Sequence, residues 1–200
     1  MTVKVQDFRG RLHKKTSSVL EPVGRILAQL GLSPNQVTWA GVLLNLAAAG
    51  LIINESLVAG GIIWLFGGLL DLLDGSMARG QKKASPFGAY LDSTTDRISD
   101  GAVFSAIIYH FALLREPIHA AVASLALLSA FLTSYTRARA QSLNIECKGG
   151  LITRVERIVL VGFGLCFNWL VATIYVLVVL SIITVGQRIF DAKHQLRDDG

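Results

Sequence analysis

Apolar residues along this chain gather into six long blocks separated by polar breaks, over residues 37–53, 57–73, 89–114, 117–135, 151–167 and 170–189. A helix needs about 20 mostly apolar residues to cross the hydrocarbon core of a bilayer, so the pattern predicts six transmembrane helices. The breaks alternate in kind. Those after the first, third and fifth blocks are very short: Asn54-Glu55-Ser56, Arg115-Glu116 and Asn168-Trp169. The others are basic, with Lys4, Arg9, Arg11, Lys14, Lys15 and Arg25 before the first block, Arg79, Lys82 and Lys83 after the second, Arg137, Arg139 and Lys148 after the fourth, and Arg188, Lys193 and Arg197 at the end. Positive residues mark the cytoplasmic side. Both termini and the long loops are therefore expected there, in a multi-pass protein of the cell membrane.

Ahead of the first block, Val5, Phe8, Leu12, Val19, Leu20, Val23, Ile26, Leu27 and Leu30 recur at near-helical spacing among basic residues. This is the pattern of an amphipathic helix lying in the membrane interface, interrupted at Pro22. Ser33-Pro34-Asn35-Gln36 then reads as a helix start, with Ser33 as cap, Pro34 at the first helical position and Gln36 completing a capping box. The expected fold is an all-α integral membrane protein, one domain over residues 1–200, with an interfacial helix in 1–32, six transmembrane helices in 33–190 and a cytoplasmic tail in 191–200.

Composition agrees. With 52% hydrophobic and 16% charged residues and a mean hydropathy of +0.52, the chain is too apolar for a soluble domain of its size. The net charge of +5 is accounted for by the cytoplasmic loops, so no nucleic-acid partner is implied. The basic start lacks the apolar core and cleavage site of a secretory signal. Cys147 and Cys166 have no ligand-like spacing and read as structural. His13, His110, His119 and His194 have no partner at telling spacing. Trp39, Trp64 and Trp169 read as packing or interface residues, and Gly60, Gly61, Gly67 and Gly68 as points of close helix contact.

The acidic residues change the picture. An ionised Asp near the middle of a spanning helix costs about 2.5–3.5 kcal/mol, less toward the interface. Asp71 and Asp74 nevertheless stand three apart at the cytoplasmic end of the second block, and Asp92 and Asp96 four apart at the start of the third. On helices each pair shares a face, and the short basic loop between the blocks brings both pairs to one depth. Four converging carboxylates repel one another unless cations neutralise them. Oxygen-only ligands suit hard ions such as Mg²⁺ or Mn²⁺, and a two-metal site follows. Gly75, Ala78 and Gly88 leave room beside the acids for a bulky group, or serve helix packing.

The run Asp71-Leu-Leu-Asp74-Gly75-Ser-Met-Ala78-Arg79, eight residues, then Gly88-Ala-Tyr-Leu-Asp92-Ser-Thr-Thr-Asp96 matches without gaps the signature of the CDP-alcohol phosphatidyltransferases. The resemblance extends to the six-span layout and the interfacial helix. It implies that Asp71, Asp74, Asp92 and Asp96 hold the divalent ions, and that Asp96 also takes the proton from an acceptor hydroxyl. It further implies that Gly75, Ala78, Arg79, Ser85 and Gly88, with Asn35, Gln36, Val37 and Thr38, surround the nucleotide of a CDP-lipid, either CDP-diacylglycerol or CDP-archaeol. For Asn35 and Thr38 a plain helix-start role is the competing reading. The resemblance also suggests a homodimer.

Arg137 and Arg139, Arg154 and Arg157, and Arg188 lie at the same expected depth as the aspartates. Singly, each could snorkel to the interface. A group of guanidinium side chains on three helices is the expected partner of a phosphate, so a phosphorylated acceptor is expected. The stretches Ser134-Tyr-Thr-Arg137-Ala-Arg139, Arg154-Val-Glu156-Arg157 and Gln187-Arg188 resemble prokaryotic phosphatidylinositol phosphate synthases. That likeness implies inositol 1-phosphate as acceptor, bound by Ser134, Arg137, Arg154, Arg157 and Arg188, although relatives can carry Lys at position 137. The alternatives are glycerol 3-phosphate as acceptor, and an ion-coupled transporter. Against the transporter, the acids gather at one membrane edge and there is no pair of broken helices. Arg97 and Asp100, beside the signature, are expected to pair with each other or to tune the nearby acids.

Overall fold

A computed structural model of the chain describes residues 22–27, 29–80, 85–145 and 150–198. Among them are six long helices: α1 (Pro34–Ile53), α2 (Leu57–Gly80), α3 (Pro86–Leu113), α4 (Pro117–Ser142), α5 (Arg154–Cys166) and α6 (Leu170–Asp198). Residues 22–27 are helical as well; of the 1–32 expected to hold an interfacial helix, residues 1–21 and 28 lie outside the described residues. The helix start at Ser33 forms as expected. The Ser33 backbone N–H donates to Gln36 Oε1 at 2.8 Å, and the Gln36 N–H donates to Ser33 Oγ at 3.4 Å.

Among the described residues, four helices are long and apolar enough to cross a membrane: α1, Leu57–Met77 of α2, α4, and Leu170–Leu196 of α6. The fold is thus all-α and membrane-embedded. The other two depart from that standard for different reasons. α3 has 28 residues, but Asp92, Asp96, Arg97 and Asp100 fill its first half. α5 has only 13 residues, about 20 Å at 1.5 Å per residue. It starts at Arg154, three residues later than the apolar block suggested, because Thr153 and Glu156 form a capping box: the Thr153 N–H donates to Glu156 Oε2 at 2.8 Å, and the Thr153 hydroxyl donates to the same oxygen. α2, α4 and α6 instead outrun their apolar blocks, so Ala78, Arg79, Arg137, Arg139 and residues 191–198 all lie on helices.

The chain divides into two compact units. The first holds the described residues up to Asn45 together with Phe66–Ser99. Here small residues set the helix spacing. A Cβ on Gly67 would fall 2.1 Å from Asn45 Oδ1, and one on Gly24 would fall 3.1 Å from Met77 Cγ. Asn45 is fully buried in α1, so it has nowhere to retreat. Gly67→Ala is expected to destabilise the protein by about 1–3 kcal/mol, read as a lower thermal midpoint in detergent; an unchanged midpoint would show that α1 and α2 separate freely.

The second unit comprises Leu46–Leu65 and Asp100–Gly200. Its core includes Trp64, Phe104, Ile107, Phe111, Val161, Leu165, Ile174 and Leu177. Lipid tails are as apolar as this core, so close packing and interhelical hydrogen bonds hold the helices together, more than exclusion of water. Gly61 and Gly162 allow that packing: a Cβ on Gly61 would meet the Gly162 carbonyl oxygen at 3.0 Å, and one on Gly162 would meet Leu65 at 2.4 Å. Trp64 satisfies its buried Nε1–H on the Ile158 carbonyl at 3.1 Å. α6 packs against both α4 and α5.

The short turns share one construction. Glu55, Arg115 and Asn168 each adopt positive φ near 58°, and the following N–H reaches back to a carbonyl five residues earlier, as in Ser56 to Leu51 (2.9 Å), Glu116 to Phe111 (2.9 Å) and Trp169 to Gly164 (2.9 Å). This is the left-handed helix stop more often made by glycine. At Glu55 it serves a contact, because both carboxylate oxygens lie 3.0 Å from Nδ1 of buried His110.

Candidate active site

The aspartates stand on two helices of the first unit, Asp71 and Asp74 on α2 and Asp92 and Asp96 on α3. Asp74 is buried, while the other three are partly exposed. Its Oδ2 accepts a 2.5 Å hydrogen bond from the Thr38 hydroxyl on α1, and its carboxylate is within Coulombic reach of both Asp92 and Asp71. Asp71 is approached equally closely by α1, since a Cβ on Gly41 would lie 2.8 Å from its Oδ1. α1 therefore presents a hydroxyl to one acid and a bare backbone to the other.

Among the described residues no three acid, imidazole or thiol side chains are drawn into a closed coordination set. Asp71 and Asp74 lie in the second half of α2, Asp92 and Asp96 in the first half of α3, and Asp74 turns toward Thr38. The donor chemistry still fits a hard divalent ion, with carboxylate oxygens only and a neutral hydroxyl orienting one of them.

The residues expected at the nucleotide fall into three groups. Asn35, Ser85 and Gly88 are gathered: the Gly88 N–H donates to Ser85 Oγ at 3.0 Å, and a Cβ on Gly88 would sit 3.1 Å from that oxygen and 3.9 Å from Asn35 Oδ1. Gln36, Val37 and Thr38 are engaged within the protein, Gln36 in the helix cap, Val37 by burial and Thr38 on Asp74. Gly75, Ala78 and Arg79 ride on α2; the side chains of Ala78 and Arg79 lie outside the described residues.

The expected acceptor residues all belong to the second unit. Arg154 and Arg157 occupy the first turn of α5, and the segment before them is fastened to α6. Thr184 Oγ1 accepts from the N–H groups of Leu151 (3.0 Å) and Ile152 (3.1 Å) and donates to the Leu180 carbonyl at 2.8 Å. Arg188, one turn further on, is buried, donates to the Thr133 carbonyl of α4 and lies against Gly150, where a Cβ would approach Nη2 to 3.3 Å. Gly150 has φ +139°, which a side chain would strain. Ser134 follows Thr133 and is half-buried; Arg137 is exposed.

Of the two roles open to Arg97, pairing with Asp100 is not the one observed. Asp100 binds Arg157, with Oδ2 2.5 Å from Nη2, and its other oxygen lies 3.8 Å from Arg154 Nε. Arg97 instead donates to the Ser93 carbonyl on its own helix. A guanidinium reaching back along its helix has a nearer acceptor in the preceding turn, and α5 supplies Asp100 with a partner that helix spacing on α3 could not reveal.

Residues 31–186 match the CDP-alcohol phosphatidyltransferase family model. The chain belongs to this family. Like its other members, this CDP-alcohol phosphatidyltransferase is an enzyme. It is 35% identical over 187 residues to the archaetidylinositol phosphate synthase of Pyrococcus horikoshii, covering 93% of this chain and 97% of that one. The crystal structure of phosphatidylinositol phosphate synthase from Mycobacterium tuberculosis with CDP-DAG bound superposes with a TM-score of 0.80 at 34% identity, covering 88% of this chain and 94% of that one. The structure of the same enzyme in complex with manganese and citrate gives 0.77 at 34% identity, covering 86% and 88%.

Proposed function

We propose that this CDP-alcohol phosphatidyltransferase transfers the phosphatidyl or archaetidyl group of a CDP-lipid to inositol 1-phosphate, releasing CMP. The observation that carries the choice of acceptor is the burial of Arg157 and Arg188 on the two helices that flank the Thr184 fastening. Asp100 and the Thr133 carbonyl fix the direction of these two guanidinium groups, whose planar donors match a phosphate. The related inositol phosphate synthases support the same reading.

In this mechanism Asp71, Asp74, Asp92 and Asp96 hold divalent ions, Mg²⁺ or Mn²⁺ and two in number, with the manganese-bound relative in support. Ions held there would supply charge withdrawal at the phosphoryl oxygens. Asp96 accepts the proton of the inositol hydroxyl. The resulting oxygen forms a bond to the lipid-side phosphorus, the bond to the CMP oxygen breaks, and CMP carries away the charge. Asn35, Ser85, Gly75, Gly88, Ala78 and Arg79 surround the nucleotide; Ser134, Arg137, Arg154, Arg157 and Arg188 bind the acceptor phosphate. Thr38 acts on the ions through Asp74. Thr38→Val is expected to lower divalent-ion affinity about tenfold, seen as a rightward shift in the Mn²⁺ dependence of CMP release; an unshifted curve would remove Thr38 from the site.

The chain works as one membrane domain with six crossings, α3 and α5 included, and with an interfacial helix before α1. The basic connections support cytoplasmic termini and a cytoplasmic active site, and the family resemblance supports a homodimer. The deciding experiment is CMP release from CDP-lipid with inositol 1-phosphate, free inositol, glycerol 3-phosphate and serine as acceptors. Preference for inositol 1-phosphate supports the reading. Preference for glycerol 3-phosphate would replace it with a phosphatidylglycerophosphate synthase, and no CMP with any acceptor would sink it.

A further inference from the structure

Asp100 stands outside the aspartate signature, four residues after Asp96 on α3, and is 2% exposed. Its two oxygens have different tasks. Oδ2 accepts from Arg157 Nη2 at 2.5 Å, and both side chains are 2% exposed. Oδ1 faces Arg154 Nε at 3.8 Å, beyond hydrogen-bond range, and is buried with no hydrogen-bond partner of its own. Arg154 and Arg157 are the first and fourth residues of α5, so they share a helix face. The Thr153–Glu156 box and the Thr184 fastening fix the backbone that carries them. What remains to be set is where the two guanidinium groups point.

A buried carboxylate–guanidinium pair adds little net stability over an apolar pair of the same volume. What it supplies is orientation, through a short charge-assisted bond of fixed geometry. We infer that Asp100 is a positioning residue for a phosphate-bearing acceptor, which anchors Arg157 through one oxygen and steers Arg154 by charge through the other. The asymmetry matters. Arg157 is locked, whereas Arg154 is held at a separation from which its guanidinium can shift onto a phosphate monoester without breaking a hydrogen bond to Asp100. Asp100 thus acts through the two arginines and touches no reacting atom. The inference rests on the acceptor reading above and adds to it the residue that shapes the arginine pair.

The test is steady-state kinetics of the full-length enzyme in detergent or vesicles, varying inositol 1-phosphate and CDP-lipid separately. Asp100→Asn keeps the shape and removes the charge. The KM for inositol 1-phosphate is expected to rise about tenfold, the loss of one charge-assisted hydrogen bond, while the KM for CDP-lipid and the kcat at saturating acceptor change by less than about twofold. Asp100→Glu, which restores the charge, recovers part of the acceptor affinity, an effect that a merely structural role does not produce. Because Asp100→Asn leaves the Arg157 charge buried and uncompensated and can unfold the protein, Asp100→Glu, which keeps that charge and only displaces it, is the second variant; it is expected to fold and to show a smaller one-sided rise in acceptor KM. An unchanged acceptor KM in either folded variant, or equal rises in both KM values, overturns the inference alone. A wild-type enzyme that releases no CMP with inositol 1-phosphate or glycerol 3-phosphate overturns the acceptor reading and the inference with it.

Discussion

Asp96→Asn is expected to lower the kcat for CMP release by about 10²–10⁴-fold, the range of a lost general base, in a protein that still folds in the membrane. The substitution changes neither volume nor shape, so its effect lies in proton affinity and charge. Asp96 sits one turn after Asp92 on α3 and is partly exposed. A base needs that access, because its proton comes from a substrate. Buried Asp74, turned to the Thr38 hydroxyl, lacks that access. Ion titration separates the two roles. Asp74→Asn weakens ion binding, so raised Mn²⁺ restores part of its activity. Asp96→Asn stays inactive at any Mn²⁺ concentration. Near-normal turnover in Asp96→Asn would remove it as the base, and full rescue by Mn²⁺ would make it a ligand only.

Arg188→Ala should raise the KM for inositol 1-phosphate by about 10- to 100-fold, equivalent to about 1.5–3 kcal/mol for hydrogen bonds to a charged group, and leave the KM for CDP-lipid nearly unchanged. Arg188 is buried on α6 and reaches the Thr133 carbonyl of α4, beside Ser134 and against Gly150. Removing it leaves a void and takes away donors at that point, so a modest loss of thermal stability accompanies the kinetic change. Arg188→Lys tests geometry against charge. A lysine keeps the charge but lacks the planar fork, so an intermediate KM is expected. Parallel rises in both KM values would mean that Arg188 supports the fold and does not select the acceptor.

Much of the local geometry was legible in the chain. The spacing of Asp71, Asp74, Asp92 and Asp96 needs only helical periodicity to place each pair on one face, and the Ser33–Gln36 box needs only local chemistry. The end of α5 nearest the arginines was missed although its signal was present: Thr153-Arg-Val-Glu156 is itself a capping box, obscured by the apolar run that continues through Leu151 and Ile152. His110 had no sequence partner because Glu55 is 55 residues away and meets it only through the left-handed turn after α1. Thr184 was unremarkable in an apolar helix until two backbone N–H groups were found on its hydroxyl.

The sequence by itself determined the helices and their acids, and the reaction only through the family that its signature resembles. Periodicity, hydropathy and an eight-position signature are local quantities, and they specify helices, a membrane and an acidic cluster without knowledge of which helix touches which. Only the tertiary structure decided which charges are partners. Helix spacing offered Arg97 as one possible partner for Asp100, which is bound by Arg157, 57 residues on. Ion pairing depends on distance in space and on the dielectric around it, and neither can be computed until the helices that bring two charges together have packed.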